Sequence, residues 1–372
     1  MFFNFSSPTE IHFGQGIFQK TSEITDKIGL NPLIVCGKYS MRKYKFLEKI
    51  SKNFLTSKKN FYIYENISPD AKSNEINEAI SIVKKNKNDF IIGLGGGSAI
   101  DAAKAIAVGI NYKNIEEIIG QTIEPSKKHL PIVAIPTTSG TGSEVSKGSI
   151  ITDINKNFKS GIRGISLFPK IAIIDPIFSL TLPKEVLAET GFDAFTHLFE
   201  SYLARKSNPI TEKLSEEGLK IILKYLPKSL EKKELHIREK ICYAALIGGI
   251  NVANASTCLP HRLQQAMGSV KEVSHPHARG LACIYPSWLK EQYKFSKIKI
   301  DYLKKKLIIN DKKYDFILNF MKKIKLEDTL NYYGVKKNHI DVFLKNISGN
   351  LENDPIKNIN NKLMKKIYLN SL

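Results

Sequence analysis

Residues 90–107 have the sequence FIIGLGGGSAIDAAKAIA, in which an apolar run passes through three glycines into a helix-forming stretch. The run 90–94 has the length and composition of a buried strand, and residues 99–110 have helical period. Glycines let the backbone approach a ligand, and the start of the following helix attracts phosphate. The alternative is a tight turn that binds nothing. The candidate cofactor-binding residues of this loop are Gly95, Gly96, Gly97, Ser98 and Asp101.

The same pattern recurs along the first half of the chain. Apolar runs at residues 33–36, 131–135 and 171–174 also end in loop-forming residues, and stretches of helical period separate the earlier runs. This alternation is typical of a parallel α/β sheet. After about residue 183 the sequence has mostly helical period. We predict a Rossmann-like, nucleotide-type α/β domain in residues 1–182, an all-α domain in residues 183–372, and a ligand cleft between them.

A second loop, PTTSGTGSEVS at residues 136–146, follows the third apolar run and contains six hydroxyl side chains. Hydroxyls and exposed amides suit a pyrophosphate and a ribose. Because parallel strands end at one edge of a sheet, this loop and the glycine loop are expected to lie together there. The GxGxxG fingerprint is absent, so the ordinary Rossmann signature does not apply. The candidate cofactor-binding residues of this loop are Thr137, Thr138, Ser143 and Val145.

Composition excludes several classes of protein. Hydrophobic residues make up 42% of the chain, as in globular proteins, and no uncharged apolar run has a membrane-spanning length. The start, MFFNFSSPTEIHFGQG, does not resemble a secretory signal, and the four cysteines show no CxxC spacing, so we expect a cytoplasmic protein with reduced thiols. The net charge of +20 is dispersed among many Asn and Ile residues, which favours compositional bias. Nucleic-acid binding is the competing interpretation from another class.

Potential metal ligands form a second constellation. Asp193 and His197 are four residues apart, so on a helix they share one face. His261, His275 and His277 follow much later. One Asp with three His suits a divalent metal such as Fe²⁺ or Zn²⁺. For any single histidine, the competing interpretation is a hydrogen-bonded core residue.

Together these motifs resemble the iron-containing alcohol dehydrogenase family. The resemblance extends over most of the chain, and the motifs that carry it are IHFGQGIF, GGGSAIDAAKAIA, AIPTTSGTGSEVS, IIDP, ETGFDAFTHLFESYLA and the later PH-containing segments. It implies a dehydroquinate synthase-like architecture, a homodimer, NAD(P), and a metal held by Asp193, His197, His261 and one later histidine. His277 matches better than His275, although both remain open as the fourth ligand. Lys159 matches a position that lines the cofactor.

Two departures from the family pattern bear on mechanism and cofactor. Gln265 stands where many members carry a titratable histidine, so a proton must come from elsewhere, and His275 is one substitute. We therefore count His261, His277, Gln265 and His275 as catalytic positions. Many NAD-preferring members have an acidic residue after the first strand, where this chain has Gly37, then Ser40 and Arg42. A missing carboxylate and added cations favour NADP(H) over NAD(H).

Two arginines suggest an anionic small-molecule substrate. Arg262 directly follows a predicted ligand, and Arg279 is two residues past another. The segments CLPHRLQ and HARGLA resemble the branch that interconverts phosphonoacetaldehyde and 2-hydroxyethylphosphonate. The metal would act as a Lewis acid on the substrate oxygen, and the nicotinamide would supply hydride. The alternative substrates are a short-chain alcohol and a sugar acid. The alternative identity for the protein is a relative of glycerol-1-phosphate dehydrogenase or of dehydroquinate synthase.

Overall fold

The computed structural model describes residues 2–125, 128–270, 272–273 and 275–372. The chain divides into two compact units, Ser7–Leu182 and Pro183–Leu372, and the second unit also contains the segment that ends at Ser6. The first unit is built on a parallel sheet and the second is helical. The predicted fold class, an α/β domain followed by an all-α domain, is therefore confirmed.

The described part of the first unit contains eight strands and five α-helices. The strands are β1 (Glu10–Phe13), β2 (Pro32–Gly37), β3 (Tyr62–Ile67), β4 (Phe90–Gly95), β5 (Ile132–Pro136), β6 (Gly148–Asp153), β7 (Phe158–Arg163) and β8 (Ile171–Ile174). The helices are α1 (Thr21–Ile24), α2 (Ser40–Lys43), α3 (Phe46–Thr56), α4 (Ser73–Asn86) and α5 (Gly97–Gly109).

Six of the strands form a sheet in the order β1-β8-β5-β4-β2-β3, and every pairing in it is parallel. From β2 the chain passes outward to β3, then returns to β4 on the other side of β2 and continues to β5. The connection therefore changes direction between β2 and β4. In open α/β sheets, ligands bind beyond the carboxyl ends of the strands at such a switch point. The glycine loop after β4 lies at this position.

The central strands are apolar throughout because both faces of the sheet are covered. Leu33 and Val35 of β2 belong to the core formed with α4 and α5. Ile34 and Cys36 of the same strand belong to the opposite core, formed with α3. Alternate residues of a strand point to opposite faces, so a doubly covered strand has no polar side. This explains the continuous apolar runs in the sequence.

The described residues of the second unit form eight α-helices. They are α6 (Lys184–Leu203), α7 (Pro209–Glu231), α8 (Leu235–Ala255), α9 (Leu259–Met267), α10 (His277–Leu307), α11 (Asp315–Lys323), α12 (His339–Lys345) and α13 (Asn361–Leu369). Helix α6 packs against α7 and α8, and most of its residues are buried. Its aromatic side chains Phe195 and Phe199 contact Tyr285 of α10 in the core. A helix buried on nearly all sides positions its polar residues firmly.

Three elements were not predicted from the sequence. Strand β3 has the sequence YIYENI and lies at the sheet edge beside β2, and β1 is the other edge strand. Edge strands carry polar residues and lack the continuous apolar run of a buried strand. The antiparallel hairpin β6–β7 follows the hydroxyl-rich loop and pairs outside the main sheet.

No single helix in the described ranges is long and apolar enough to cross a membrane. The pair α8 and α9, which is bent by 97°, passes that test on length and composition when the two helices are taken together.

Candidate metal centre and dinucleotide site

Helix α6 supplies the first two predicted metal ligands. Asp193 and His197 are both buried and lie one turn apart on the same face of the helix. Oδ1 of Asp193 is 3.5 Å from Nε2 of His197. The predicted pair is therefore brought together.

Two further histidines approach the same oxygen from other helices. Nε2 of His261, in the first turn of α9, is 3.7 Å from Oδ1 of Asp193. Nε2 of His277, the first residue of α10, is 3.5 Å from it. The ligand atoms of Asp193, His197 and His261 all lie within 4.8 Å of one another. Bonds of the usual zinc–nitrogen length in a tetrahedral site would separate ligand atoms by about 3.4 Å. The spacing suits one shared ion.

In two of these rings, Nδ1, the nitrogen that faces away from Asp193, has a hydrogen-bond acceptor. Nδ1 of His261 is 2.9 Å from Oε2 of Glu200, and Nδ1 of His277 is 2.5 Å from Oε1 of Gln264. Because both acceptors require a proton on Nδ1, Nε2 is the nitrogen of each ring that is left to bind a metal. The rings are thus set in the tautomer that binds a metal. Sequence reasoning missed both partners.

The electrostatics of the cluster fit a divalent cation. Among the described residues, Oδ1 of Asp193 and Nε2 of His261 are buried without a hydrogen-bond partner. Burial raises the pKa of Asp193, but the neighbouring histidines outweigh it and hold that pKa well below its ordinary value. Burial lowers the pKa of His261, whereas Glu200 and Asp193 raise it to about 9. Three nitrogens and one carboxylate oxygen form a donor set suited to Fe²⁺ or Zn²⁺.

The neighbouring positions from the sequence prediction lie around this cluster in different environments. The His275 ring packs edge-on against Tyr333, with ring centroids 6.0 Å apart. Gln265 is partly buried, and its Oε1 accepts a hydrogen bond of 3.3 Å from Arg262. The structure brings His277 beside Asp193 and places the His275 ring against Tyr333.

The two arginines predicted to bind substrate differ in their partners. Arg262 is buried and donates to Oγ1 of Thr257 at 2.8 Å. Arg279 forms ion pairs with Glu189 at 2.8 Å and with Asp328 at 2.7 Å. Burial opposes the charge of Arg279, but these carboxylates raise its pKa. Its guanidinium is already balanced by two carboxylates, which favours a structural role.

In the first unit, the glycine loop packs directly on the hydroxyl-rich loop. A Cβ at Gly97 would lie 2.6 Å from Cγ2 of Thr141, and one at Gly96 would lie 3.5 Å from Oγ1 of Thr138. The amide of Thr137 donates to the carbonyl of Gly95 at 2.9 Å. Helix α5 begins at Gly97, so its free amides lie between the two loops. This is a suitable place for a phosphate.

Asp101 connects this helix to the second loop. Its carboxylate accepts hydrogen bonds from Oγ of Ser143 at 2.5 Å and from the amide of Ile150 at 2.9 Å. Val145 is buried in the same loop. Asp101 is a predicted cofactor-binding residue, and in the structure its carboxylate holds the hydroxyl-rich loop and β6 against α5.

Lys159 and Ser98, two predicted cofactor-binding residues, both contact Asp70, which the sequence analysis did not single out. Nζ of Lys159 in β7 is 2.7 Å from Oδ1 of Asp70, and Oγ of Ser98 accepts a hydrogen bond of 3.1 Å from the Asp70 amide. Asp70 follows β3 in a left-handed conformation, with φ of 56°. No spacing in the sequence marked Asp70, because its partners are distant along the chain.

The residues after β2 form the third part of the predicted cofactor-binding site, after the glycine loop and the hydroxyl-rich loop. Gly37 ends β2, and Ser40 begins α2. Arg42 of that helix donates through Nη2 to Oε1 of Glu65 at 2.6 Å, and Glu65 belongs to the neighbouring strand β3. A carboxylate therefore lies beside the predicted cation site, although none follows β2 in sequence.

Comparison with known proteins identifies the family. Residues 8–176 match the model of the iron-containing alcohol dehydrogenase domain, and residues 187–372 match the C-terminal domain of the Fe-containing alcohol dehydrogenase family. The chain belongs to the iron-containing alcohol dehydrogenase family. It is thus an oxidoreductase of a family that binds a divalent metal and NAD(P), and the cluster around Asp193 is a potential metal site in this dehydrogenase.

Individual relatives show how similar the chain is to characterised dehydrogenases. An NADPH-dependent butanol dehydrogenase of Clostridium saccharobutylicum is 28% identical over 98% of this chain and 96% of its own length. A probable NADH-dependent butanol dehydrogenase of Bacillus subtilis is 30% identical over 77% of this chain and 75% of its own. A solved iron-containing alcohol dehydrogenase of Thermotoga maritima has a TM-score of 0.87 and 28% identity, covering 100% of this chain and 99% of that one.

Proposed function

We propose that this dehydrogenase interconverts a small aldehyde and its primary alcohol at a divalent metal held by Asp193, His197, His261 and His277. The observation that carries this proposal is the approach of three Nε2 atoms to within 3.5–3.7 Å of one buried carboxylate oxygen. A bound metal supplies Lewis acidity to the substrate oxygen, and a bound nicotinamide exchanges hydride with the carbonyl carbon.

The protein's own residues orient and hold these groups. Glu200 and Gln264 hold Nδ1 of His261 and of His277, so Nε2 of each ring is the nitrogen that faces the metal position. Asp193 contributes one negative charge to three neutral imidazoles, which leaves the site with net positive charge toward an oxyanion. Gln265 has no titratable proton, so we assign proton delivery to water, a cofactor ribose hydroxyl or His275.

We assign the dinucleotide to the unit Ser7–Leu182, at the switch point between β2 and β4. The close packing of the glycine loop on Thr138 and Thr141 supports a preformed phosphate site there. Lys159 and Ser98 extend it through Asp70. We propose NADP(H) in preference to NAD(H), because Gly37 leaves out a carboxylate and Arg42 supplies a cation. The two butanol dehydrogenase relatives carry different cofactors in their names, so they favour neither.

For the substrate, we propose phosphonoacetaldehyde, reduced to 2-hydroxyethylphosphonate. Arg262 immediately follows His261 on α9, so a guanidinium is attached to the helix that carries a ligand. Arg279 is engaged by Glu189 and Asp328, and we assign it the support of α10. A short-chain alcohol is the second candidate, because the relatives above are butanol dehydrogenases. A sugar acid is a third candidate substrate. For the assembly of the chain, we propose a homodimer.

The test is an anaerobic assay of NADPH and NADH oxidation by protein loaded with Fe²⁺ or with Zn²⁺. Phosphonoacetaldehyde, butanal and glycolaldehyde are the substrates, and Arg262→Ala is compared with Arg279→Ala. Phosphonoacetaldehyde turnover that Arg262→Ala weakens through KM supports the anionic substrate. Turnover of butanal alone retains the dehydrogenase and rejects the phosphonate. Absence of turnover with every aldehyde and metal contradicts the proposed reaction.

A further inference from the structure

Glu200 is a fully buried carboxylate directly beside the metal ligands. It lies on α6 seven residues after Asp193 and three after His197, and its side chain has 0% exposure. A buried carboxylate is strongly destabilising unless hydrogen bonds and nearby positive charge compensate for it. The ligand set described above does not include it, so its burial requires another explanation.

The two hydrogen bonds described for the Glu200 carboxylate both lead to the start of helix α9. Its Oε2 accepts from the amide of Cys258 at 2.7 Å and lies 2.9 Å from Nδ1 of His261. Cys258 is the residue that caps the N-terminus of α9, and His261 is the third residue of that helix. One oxygen thus holds both the backbone where α9 begins and the imidazole that α9 carries. A negative charge is also favourable at this end of a helix.

Asp354 provides a natural comparison, because it holds the same helix end without contacting an imidazole. Its Oδ2 accepts from the amide of Leu259 at 2.9 Å and from Nε1 of Trp288 at 3.0 Å. His277, in turn, has the neutral amide of Gln264 as its partner. The carboxylate contact of Glu200 with a ligand ring therefore differs from both in chemistry.

We propose that Glu200 is a positioning residue of the metal centre, acting through His261. It holds the imidazole with its proton on Nδ1 and with Nε2 directed at Oδ1 of Asp193. Its charge lies outside the ligand set and reaches the metal position through His261, in addition to the charge that Asp193 supplies as a ligand. This inference rests on the proposed metal function. It assigns to Glu200 a share of the metal affinity that a purely structural cap would not have.

The experiment compares the metal affinity of Glu200→Gln and Asp354→Asn with that of the unaltered chain. Apoprotein is titrated with Zn²⁺ against a chromophoric chelator, and the visible absorption of the Co²⁺-loaded protein is recorded. Glu200→Gln removes the charge at constant size, and we expect about 10–100-fold weaker binding and an altered Co²⁺ spectrum, as for other partners of ligand histidines. For Asp354→Asn we expect lower thermal stability with an unchanged Co²⁺ spectrum.

Several outcomes would overturn the inference. Equal metal affinity in Glu200→Gln and the unaltered chain is one, and equal weakening in both variants is another, since the effect would then come from the helix alone. If Glu200→Gln does not fold, Glu200→Asp takes its place: it keeps the charge but withdraws the oxygen by one carbon, and unchanged affinity would again contradict the role. Failure of the unaltered chain to bind any divalent metal would instead reject the proposed function.

Discussion

Arg42 and Glu65 form an ion pair between the helix after β2 and the neighbouring strand β3. The guanidinium that we assign to a 2′-phosphate is therefore already held by a carboxylate. The hydrogen bonds between the two groups, with their opposite charges, raise the pKa of Arg42 and lower that of Glu65. If Arg42 binds the 2′-phosphate as we propose, that phosphate has to displace Glu65, whereas a 2′-hydroxyl does not. We therefore expect the pair to affect how strongly this chain distinguishes NADPH from NADH.

We expect Arg42→Ala to raise the KM for NADPH about tenfold or more, since a charge-assisted hydrogen bond is lost. Glu65→Gln should lower the same KM by up to about fivefold, the usual value of an exposed ion pair. Lys43→Ala, which removes a like charge from the same helix, is the control and should change little. Steady-state kinetics with both cofactors measure this, and equal changes for NADH and NADPH would contradict it.

Close packing at Gly97 predicts a large effect of one methyl group. In Gly97→Ala the new Cβ would lie 2.6 Å from Cγ2 of Thr141, so the two loops must separate. We expect dinucleotide affinity to fall about tenfold or more, because overpacking of this kind typically costs about 1–3 kcal/mol. The measurement is the dissociation constant for NADPH from fluorescence titration.

Two further variants control for this prediction. Gly148→Ala places a Cβ with no described atom within 4 Å and should leave the affinity unchanged. Adding Thr141→Ser to Gly97→Ala removes the clashing Cγ2 and should recover part of the loss. If Gly97→Ala binds NADPH normally, the two loops do not form the phosphate site.

The two late histidines should respond differently to substitution. His277 approaches Asp193, so His277→Ala is expected to reduce the metal content and to lower kcat/KM more than about 100-fold. This loss exceeds the one that is typical when a residue hydrogen-bonded to a metal ligand is replaced. His275 packs on Tyr333, and His275→Ala should retain the metal. Metal analysis of the purified variants decides this. Loss of metal in His275→Ala and its retention in His277→Ala would reverse the assignment.

A pH-dependent stability follows from a buried acid in the hydroxyl-rich loop. Burial raises the pKa of Glu144 from 4.5 to about 7, against the opposing charge of Lys104. The folded form therefore holds a proton that the unfolded form releases between these pH values. The stability that this proton gives to the folded form is fully present below pH 4.5 and is lost as the pH rises through 7.

Glu144→Gln should remove this dependence while keeping the size of the side chain. We expect the free energy of unfolding of the unaltered chain, relative to the variant, to fall by up to about 3 kcal/mol across that range. Thermal unfolding followed by circular dichroism at several pH values measures the difference. Parallel pH profiles for the two proteins would show that Glu144 is not the group responsible.

Local patterns made much of the fold and part of the site predictable. The apolar runs of β2, β4, β5 and β8 identified the buried strands, because a strand covered on both faces has no polar side. The edge strands β1 and β3 escaped detection for the opposite reason. Glu200 continues the spacing of Asp193 and His197 along one helix face, so the sequence did contain a signal for it.

The sequence by itself determined the parallel sheet, the glycine loop that opens α5, and the pairing of Asp193 with His197, because each depends on residues within one or two turns of the chain. Only the tertiary structure decided that His277 lies beside Asp193, that Gln264 holds its ring, and that Glu65 neutralises Arg42. Those relationships join segments far apart in the chain. Their distances are set by how helices and strands pack, which no local spacing encodes.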